Sequence, residues 1–204
     1  VGEQTSVGGK IRVYLNEGTQ VAPVYEGFFY VQTSAGDLIV PSSGCLGVFP
    51  RAFDWNADGQ KDLVVGRADG TIEVYVNDGD DVFTSMGVVQ VGPEGAKITL
   101  DVGDRTTLDL VDWNNDGLTD LVTGALDGKV RVCLNQGRPG SPDFFEAVTV
   151  QEGSPDLSVN TGRASVSVVD LDHDGLKDLV LGNTEGQLTF YPNVGTDAAP
   201  VFLT

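Results

Sequence analysis

The stretch Asp54-Trp-Asn-Ala-Asp-Gly-Gln-Lys-Asp-Leu-Val-Val-Gly66 decides the fold of this chain. It recurs as Asp112-Trp-Asn-Asn-Asp-Gly-Leu-Thr-Asp-Leu-Val-Thr-Gly124 and as Asp170-Leu-Asp-His-Asp-Gly-Leu-Lys-Asp-Leu-Val-Leu-Gly182, and each copy begins 58 residues after the one before it. Every copy is an acidic turn that runs into a short apolar segment. A fixed period is typical of repeat architectures in which neighbouring units share a core. The chain is therefore predicted to be an array of equivalent units.

A second segment of each unit predicts a further strand. Gly70-Thr-Ile-Glu-Val-Tyr-Val-Asn77 alternates apolar residues with polar or aromatic ones at a period of two, which is typical of a strand. Residues 128–135 and 186–193 repeat this segment, and residues 9–16 hold a fourth copy that has no acidic turn before it. Because no segment shows a convincing helical period, the chain is predicted to be all-β.

Each full unit is predicted to contain four antiparallel strands. In the first full unit, one strand enters the acidic turn at residues 49–54, a second leaves it at 61–66, and the alternating segment at 71–77 is the third. A looser outer strand follows at 82–91 and returns at 97–102. Units of four strands at this spacing indicate the blades of a β-propeller. A β-sandwich is the alternative for an all-β chain, but it does not predict similar turns at constant spacing.

The repeat boundaries predict one propeller domain of about three and a half blades. Residues 1–48 form a partial blade, 49–106 and 107–164 form full blades, and 165–204 form a blade that lacks most of its last strand. Propellers usually have about four to eight blades. We therefore expect the ring to be incomplete in this chain alone. Either the chain is a piece of a longer array, or other protein chains or copies complete the propeller.

The acidic turns predict three calcium sites. Oxygen-bearing side chains stand at positions 1, 3, 5 and 9 of each turn, and glycine stands at position 6. Ca²⁺ takes six to eight oxygen ligands, and position 7 of such a loop supplies a main-chain carbonyl. The predicted ligands are Asp54, Asn56, Asp58, Gln60 and Asp62 in the first turn, Asp112, Asn114, Asp116, Leu118 and Asp120 in the second, and Asp170, Asp172, Asp174, Leu176 and Asp178 in the third.

Two other interpretations of the turns are weaker. An EF-hand requires glutamate at position 12, where this chain has Val65, Thr123 and Leu181. A turn without any ion explains a single copy, but three copies with every ligand position filled favour calcium. The only histidine, His173, stands at position 4 and is predicted to be a solvated loop residue. Soft metals are disfavoured because histidine and cysteine do not cluster.

Charge and composition exclude several functions. The net charge of −18 argues against nucleic acid and against an anionic membrane surface as partners. No apolar stretch approaches the length of about 18 residues that a membrane span needs. A single histidine and the lack of a Gly-x-Ser-x-Gly motif argue against an enzyme. Two cysteines, Cys45 and Cys133, leave pairing open, and Cys133 replaces the tyrosine of other copies, which favours a packing role.

The repeated segments resemble FG-GAP/VCBS-type repeats, the calcium-bearing blades of integrin α-subunit propellers, certain lectins and many large secreted bacterial proteins. The resemblance rests on residues 54–66, 112–124 and 170–182 and on the Gly-x-[IVL]-x-[VF]-[YC]-x-Asn strand. It implies that each calcium loop connects the two inner strands of a blade. It also implies a secreted or cell-surface module for binding or scaffolding, in adhesion or assembly. A glycan-binding lectin is the alternative, and a fragment of a polysaccharide lyase is a weaker one.

The repeated aromatic residues are predicted to pack between blades. Trp55 and Trp113 follow the first aspartate of their turns, and a sugar-binding platform is the alternative role for them. Tyr14, Tyr75 and Tyr191 occupy one position of the alternating strand. We expect these tyrosines to contact the neighbouring blade.

Overall fold

Strands form all the regular structure in the part of the chain that the structure describes. This computed structural model describes residues 1–5, 8–41, 48–152 and 156–203. In chain order its strands are β1 (Gly2–Thr5), β2 (Gly8–Val13), β3 (Phe29–Tyr30), β4 (Gln32–Thr33), β5 (Gly36–Asp37), β6 (Phe49–Phe53), β7 (Asp62–Gly66), β8 (Ile72–Asn77), β9 (Phe83–Val88), β10 (Gln90–Val91), β11 (Ile98–Thr99), β12 (Thr107–Val111), β13 (Asp120–Gly124), β14 (Val130–Cys133), β15 (Val148–Thr149), β16 (Ser165–Val169), β17 (Asp178–Gly182) and β18 (Leu188–Tyr191). The all-β prediction is confirmed.

Four main sheets follow one another along the chain, and consecutive strands pair antiparallel in each. They are the first sheet (β1–β3), the second (β6–β9), the third (β12–β15) and the fourth (β16–β18). The small pairs β4–β5 and β10–β11 follow the first and second sheets. The second and third sheets are therefore complete four-stranded blades, whereas the first and fourth have three strands each among the described residues.

One residue pair between the second and third strands is equivalent in all four sheets. The residue pairs that face each other at this point are Gly2–Ile11, Gly66–Ile72, Gly124–Val130 and Gly182–Leu188. The strands β1 and β2 therefore take the places of the second and third strands of a blade. No strand takes the first place of that sheet within the described residues.

The first strands of neighbouring sheets contact each other. Asp109 of β12 contacts both neighbouring first strands. Its Oδ1 atom is 3.6 Å from Nε of Arg51 in β6. The Val168 N–H donates to Asp109 Oδ2 at 2.9 Å. The Thr107 hydroxyl, also in β12, donates to the Ala164 carbonyl at 3.0 Å. The first strand of each blade is therefore its inner strand.

The hydrophobic core lies between neighbouring sheets. Alternate residues of one strand belong to different interfaces: Leu63 and Val65 pack in the cluster shared with the first sheet, whereas Val64 packs in the cluster shared with the third. All residues of β7 and β13 are buried. A strand that is covered on both faces is rich in apolar side chains. This burial explains why apolar residues dominate the segment after each acidic turn, where Thr123 of the second copy is a buried polar exception.

The glycine that ends each second strand permits the next sheet to approach. A Cβ atom on Gly66 would lie 2.1 Å from the carbonyl oxygen of Thr106, and one on Gly124 would lie 2.4 Å from that of Ala164. No side chain fits at such a distance from a backbone atom. The repeated glycine therefore sets the distance between blades.

The aromatic predictions are confirmed with one exception. The Trp55 ring lies 6.1 Å from that of Phe144, and the Trp113 ring lies 6.0 Å from that of Phe202, so each tryptophan packs on the following blade. Of the three repeated tyrosines, Tyr75 and Tyr191 are buried against the preceding sheet. Tyr14 is exposed and contacts Phe28 instead. The expectation for Tyr14 was wrong because no preceding sheet covers it in this structure.

Cys133 has the packing role that was predicted. It is a free, fully buried thiol in the cluster between the second and third sheets. Burial raises the pKa of this thiol to about 12, so that it is protonated at neutral pH. It faces Leu121 across the sheet, as Tyr75 faces Leu63. Cys45 lies outside the described residues.

Candidate calcium sites

The three acidic turns connect the two inner strands of their blades and share one backbone conformation. The glycines at position 6, Gly59, Gly117 and Gly175, have φ angles of 89°, 88° and 91°. Position 4 is also left-handed, with φ angles of 58°, 61° and 65° at Ala57, Asn115 and His173. Glycine is favoured at position 6 because side chains destabilise this region of φ. His173 is exposed, as predicted.

The third turn brings three carboxylates together. Asp170, Asp172 and Asp174 each place one oxygen so that these atoms lie within 4.8 Å of one another. The Oδ1 atom of Asp170 is buried and has no hydrogen-bond partner in the described structure. A buried carboxylate oxygen without a partner is costly. A cation beside these three groups would remove that cost, so the residues of this turn fit a metal ion.

The first turn gathers its side chains through backbone hydrogen bonds. The Asp58 N–H donates to Asp54 Oδ1 and to Asn56 Oδ1, both at 3.1 Å. The Asn56 amide donates to Asp58 Oδ2 at 2.8 Å. The same contacts recur in the second turn among Asp112, Asn114 and Asp116, at 3.0–3.1 Å. Positions 1, 3 and 5 therefore converge in both turns.

Position 7 contributes its main-chain N–H to this arrangement. The N–H groups of Gln60, Leu118 and Leu176 donate to the position-5 carboxylate of their own turn at 2.7–2.8 Å. These bonds hold the carboxylates of Asp58, Asp116 and Asp174 over the turn. Metal ligation by the three main-chain carbonyls stays a prediction.

Position 9 has a structural role that the sequence analysis missed. Asp62, Asp120 and Asp178 are fully buried. The Asp120 carboxylate accepts the Trp113 N–H at 2.8 Å and the Asn135 N–H at 2.7 Å, and the other two carboxylates accept equivalent bonds. This residue therefore joins the end of the inner strand to the end of the third strand. The available signal was the asparagine that follows position 9 by 15 residues in every unit.

Burial and neighbouring charge both disfavour ionisation of Asp120. Burial raises its pKa above the usual range for aspartate. The N–H groups of Asn135 and Trp113 oppose this shift, whereas the carboxylates of Asp116 and Asp112 add to it. The turn therefore carries more negative charge than its hydrogen bonds compensate, and a divalent cation would relieve the repulsion.

Neighbouring turns are joined through the blade that follows. Asp197, in the turn after β18, accepts from the Asn115 amide at 2.8 Å and from Lys177 Nζ at 2.8 Å. Lys177 Nζ also donates to Asn115 Oδ1 at 2.5 Å. The second and third acidic turns are thereby linked to each other. The first turn also contacts the blade that follows. Its Asn56 carbonyl lies so close to Gly140 that a Cβ on this glycine would be 2.3 Å from the carbonyl oxygen.

The repeated antiparallel sheet with an acidic turn between its inner strands is the arrangement of a β-propeller blade. The family model for the FG-GAP-like repeat matches residues 54–105 and 112–181, which is more than half of the chain. The chain belongs to this family of repeats.

An integrin and a lectin are among the individual proteins that are similar to this chain. Integrin alpha-4 of Xenopus laevis is 27% identical over 143 residues, which cover 64% of this chain and 14% of the integrin. The chain thus spans only a small part of that relative. A lectin of Agrocybe aegerita, solved in a study of the recognition of non-reducing terminal N-acetylglucosamine, superimposes with a TM-score of 0.47 and 20% identity. That match covers 100% of this chain and 50% of the lectin.

Proposed function

We propose that this chain is a calcium-stabilised β-propeller segment that acts outside the cell as a binding or scaffolding module. The observation that carries the proposal is the buried, unpartnered Asp170 Oδ1 beside Asp172 and Asp174. Two further turns of the same conformation support it. The donors are all oxygens, which suits a hard cation such as Ca²⁺. The role of the ion is structural, and the module is not catalytic.

The bound ions would stabilise the blades by removing charge repulsion. In each turn, the side chains at positions 1, 3, 5 and 9 and the carbonyl at position 7 would hold one Ca²⁺. Binding to the folded state alone adds about 2.7 kcal/mol per site when the free ion is at 100 times its Kd. Because 1 kcal/mol shifts Tm by about 2–4 °C at this chain length, three sites would raise Tm by about 15–30 °C. Millimolar extracellular calcium is the reason for placing the module outside the cell.

Thermal unfolding in calcium and in the chelator EGTA tests the calcium proposal. We expect a large fall of Tm in EGTA that added Ca²⁺ reverses. Asp112→Asn and Asp170→Asn should each reduce this calcium-dependent shift by about one third, since each removes one of three sites. Asp80→Asn is the matched control, because Asp80 is exposed and lies outside the turns. An equal Tm in calcium and in EGTA, with no ion bound, would refute the proposal.

The first sheet supports a role in assembly. Phe29 of β3 and three aromatic residues of the segment between β2 and β3, Tyr14, Tyr25 and Phe28, have 38–59% of their surface accessible. The equivalents of Tyr14 in later sheets, Tyr75 and Tyr191, are only 3% and 4% exposed. We therefore propose that a blade of another chain or of a second copy covers this sheet. Native mass spectrometry should show assemblies larger than the 21.5 kDa chain. A chain that stays monomeric when it is mixed with its partners would contradict the proposed assembly.

The tryptophans do not support a lectin function. A sugar-binding platform needs an exposed aromatic face, whereas Trp113 is only 7% exposed and packs on Phe202. A glycan array tests this directly, and we expect no binding that depends on Trp55 or Trp113. The described residues contain no helix that is long and apolar enough to cross a membrane.

A further inference from the structure

Three arginines line one cavity at the end of the inner strands that is opposite to the calcium turns. Arg51, Arg105 and Arg163 surround a space of about 680 Å³, together with Phe49 and Leu108. The inner strand β6 starts at this cavity and reaches its acidic turn at the other end. The cavity is therefore a separate place from the calcium sites.

The positive charge of this cavity is unusual in such an acidic chain. The chain has 12 lysines and arginines against 30 acidic residues, and most of its cations are paired with carboxylates. Arg51 is only 3.6 Å from the carboxylate of Asp109. Arg105 and Arg163, however, form no ion pair with any described residue. Two guanidinium groups therefore face the same space without a counter-charge.

Arg105 carries a second sign of a missing ligand. Its Nε atom is buried and has no hydrogen-bond partner among the described residues. Arg12 and Arg67 also have an unpartnered Nε, but their terminal nitrogens are paired with Glu3 and with Asp69 and Glu73. Arg105 lacks this compensation. A buried donor without an acceptor destabilises the fold, unless a bound acceptor satisfies it.

The backbone fixes both arginines where they enter the cavity. Arg105 and Arg163 have φ angles of 59° and 53°, which residues other than glycine seldom adopt. The preceding blade holds them in this conformation, since the Arg105 N–H donates to the Ala68 carbonyl at 3.1 Å and the Arg163 N–H donates to the Leu126 carbonyl at 2.9 Å. Unfavourable backbone conformations that the surrounding structure enforces are concentrated at ligand sites.

We propose that this cavity binds a small organic carboxylate. Guanidinium groups bind carboxylates through two parallel N–H···O bonds, which gives Arg a preference for this planar anion. The Phe49 ring, which lies 5.4 Å from the Arg163 guanidinium, and Leu108 provide an apolar wall for the body of the ligand. The volume is within the range of small-molecule sites. Arg105 and Arg163 bind the carboxylate, and Arg51 adds positive charge.

Isothermal titration of the calcium-loaded chain with phenylacetate and with its neutral analogue phenylacetamide tests the proposal. We expect phenylacetate to bind at least tenfold more tightly, because only the acid has the charge that the arginines recognise. N-acetylphenylalanine and its amide form a second pair, which represents the carboxyl terminus of a peptide. Tighter binding of N-acetylphenylalanine than of phenylacetate assigns the ligand to a peptide end, and the reverse order assigns it to a free acid.

Variants assign the binding to the arginines. Arg105→Gln and Arg163→Gln should each weaken phenylacetate binding at least tenfold. Arg138→Gln is the matched control, because Arg138 is exposed and lies away from the cavity, and it should leave the affinity unchanged. The proposal is wrong if acid and amide bind equally to the unaltered chain, or if neither binds at about 10 mM, a concentration well above the Kd of a weak site. Unchanged affinity in both variants also overturns it.

Discussion

The buried aspartate at position 9 offers the sharpest test of how the blade is held together. Asp120→Ala removes the acceptor of two buried N–H groups, those of Trp113 and Asn135. Each unsatisfied buried N–H costs about 1–3 kcal/mol, which gives about 2–6 kcal/mol for the pair. The variant also removes a buried charge that the carboxylates of Asp116 and Asp112 repel. This relief offsets part of the loss, so we expect unfolding to become about 2–4 kcal/mol easier.

Urea unfolding in EGTA measures this effect without any contribution from calcium. The free energy of unfolding follows from the midpoint and the slope of the transition. Asp120→Asn keeps one acceptor oxygen and should lose about half as much stability as Asp120→Ala. Asp80→Asn is the control: Asp80 is exposed and lies outside the acidic turns, so that its replacement should change the stability in EGTA by less than about 0.5 kcal/mol. A loss below about 1 kcal/mol for Asp120→Ala would refute the role as a clamp between strands.

Two further substitutions test the packing between blades. Gly124→Ala should destabilise the fold by about 1–3 kcal/mol in urea unfolding, because its Cβ would lie 2.4 Å from the Ala164 carbonyl oxygen. Gly182→Ala is the control and should have a smaller effect, because its Cβ would lie 3.5 Å from the nearest atom. Equal losses of stability in the two variants would contradict the close approach of the blades at Gly124. Burial alone would raise the pKa of Asp197, but hydrogen bonds from Lys177 outweigh it and hold this pKa below the usual range. The ionised form therefore stabilises the fold above pH of about 4, and the contribution is lost as the pH falls through the folded-state pKa. Asp197→Asn should cost about 1–3 kcal/mol at pH 7 and much less near pH 2.5; an equal cost at both values would contradict the ion pair.

The inner strands were the most predictable part of the fold. The first strand of the first full unit was predicted at residues 49–54 and is observed at Phe49–Phe53, and the second was predicted at 61–66 and is observed at Asp62–Gly66. Both are fixed by the acidic turn between them and by burial of β7 on both faces. Because the acidic turn and burial on both faces act on the same residues, the sequence pattern predicts the bounds of these strands closely.

The outer strand was the least predictable part. Residues 82–91 and 97–102 were predicted as one strand with its return, but the structure divides them into β9, β10 and β11. The pairing of β8 with β9 shifts between Val74 and Tyr75, and Gly87 has a φ of 89°. Most residues of β9 are exposed, so no buried face imposes a period of two on their sequence. The prediction places strands in the right two segments but misses the break between β9 and β10, where this constraint is absent.

The candidate sites show the same division. The convergence of positions 1, 3 and 5 followed from their spacing, because neighbouring residues of one turn form it. The two strand-joining bonds of Asp120 did not follow, since an aspartate that ligates an ion and one that accepts buried N–H groups look alike in a sequence. The arginine cavity was not predicted, although Arg105 and Arg163 are 58 residues apart and so occupy equivalent positions of their units. Only the packing of the blades shows that both line one cavity together with Arg51.

The calcium content of the purified chain tests the central claim most directly. At equilibrium in dialysis against about 10 mM free Ca²⁺, which is above a Kd in the range of about 10⁻⁴ to 10⁻³ M, elemental analysis should find about three more Ca²⁺ per chain on the protein side of the membrane than on the buffer side. The Asp170→Asn variant should bind about two. A chain that binds no calcium, or a variant that binds as much as the unaltered chain, would contradict the account.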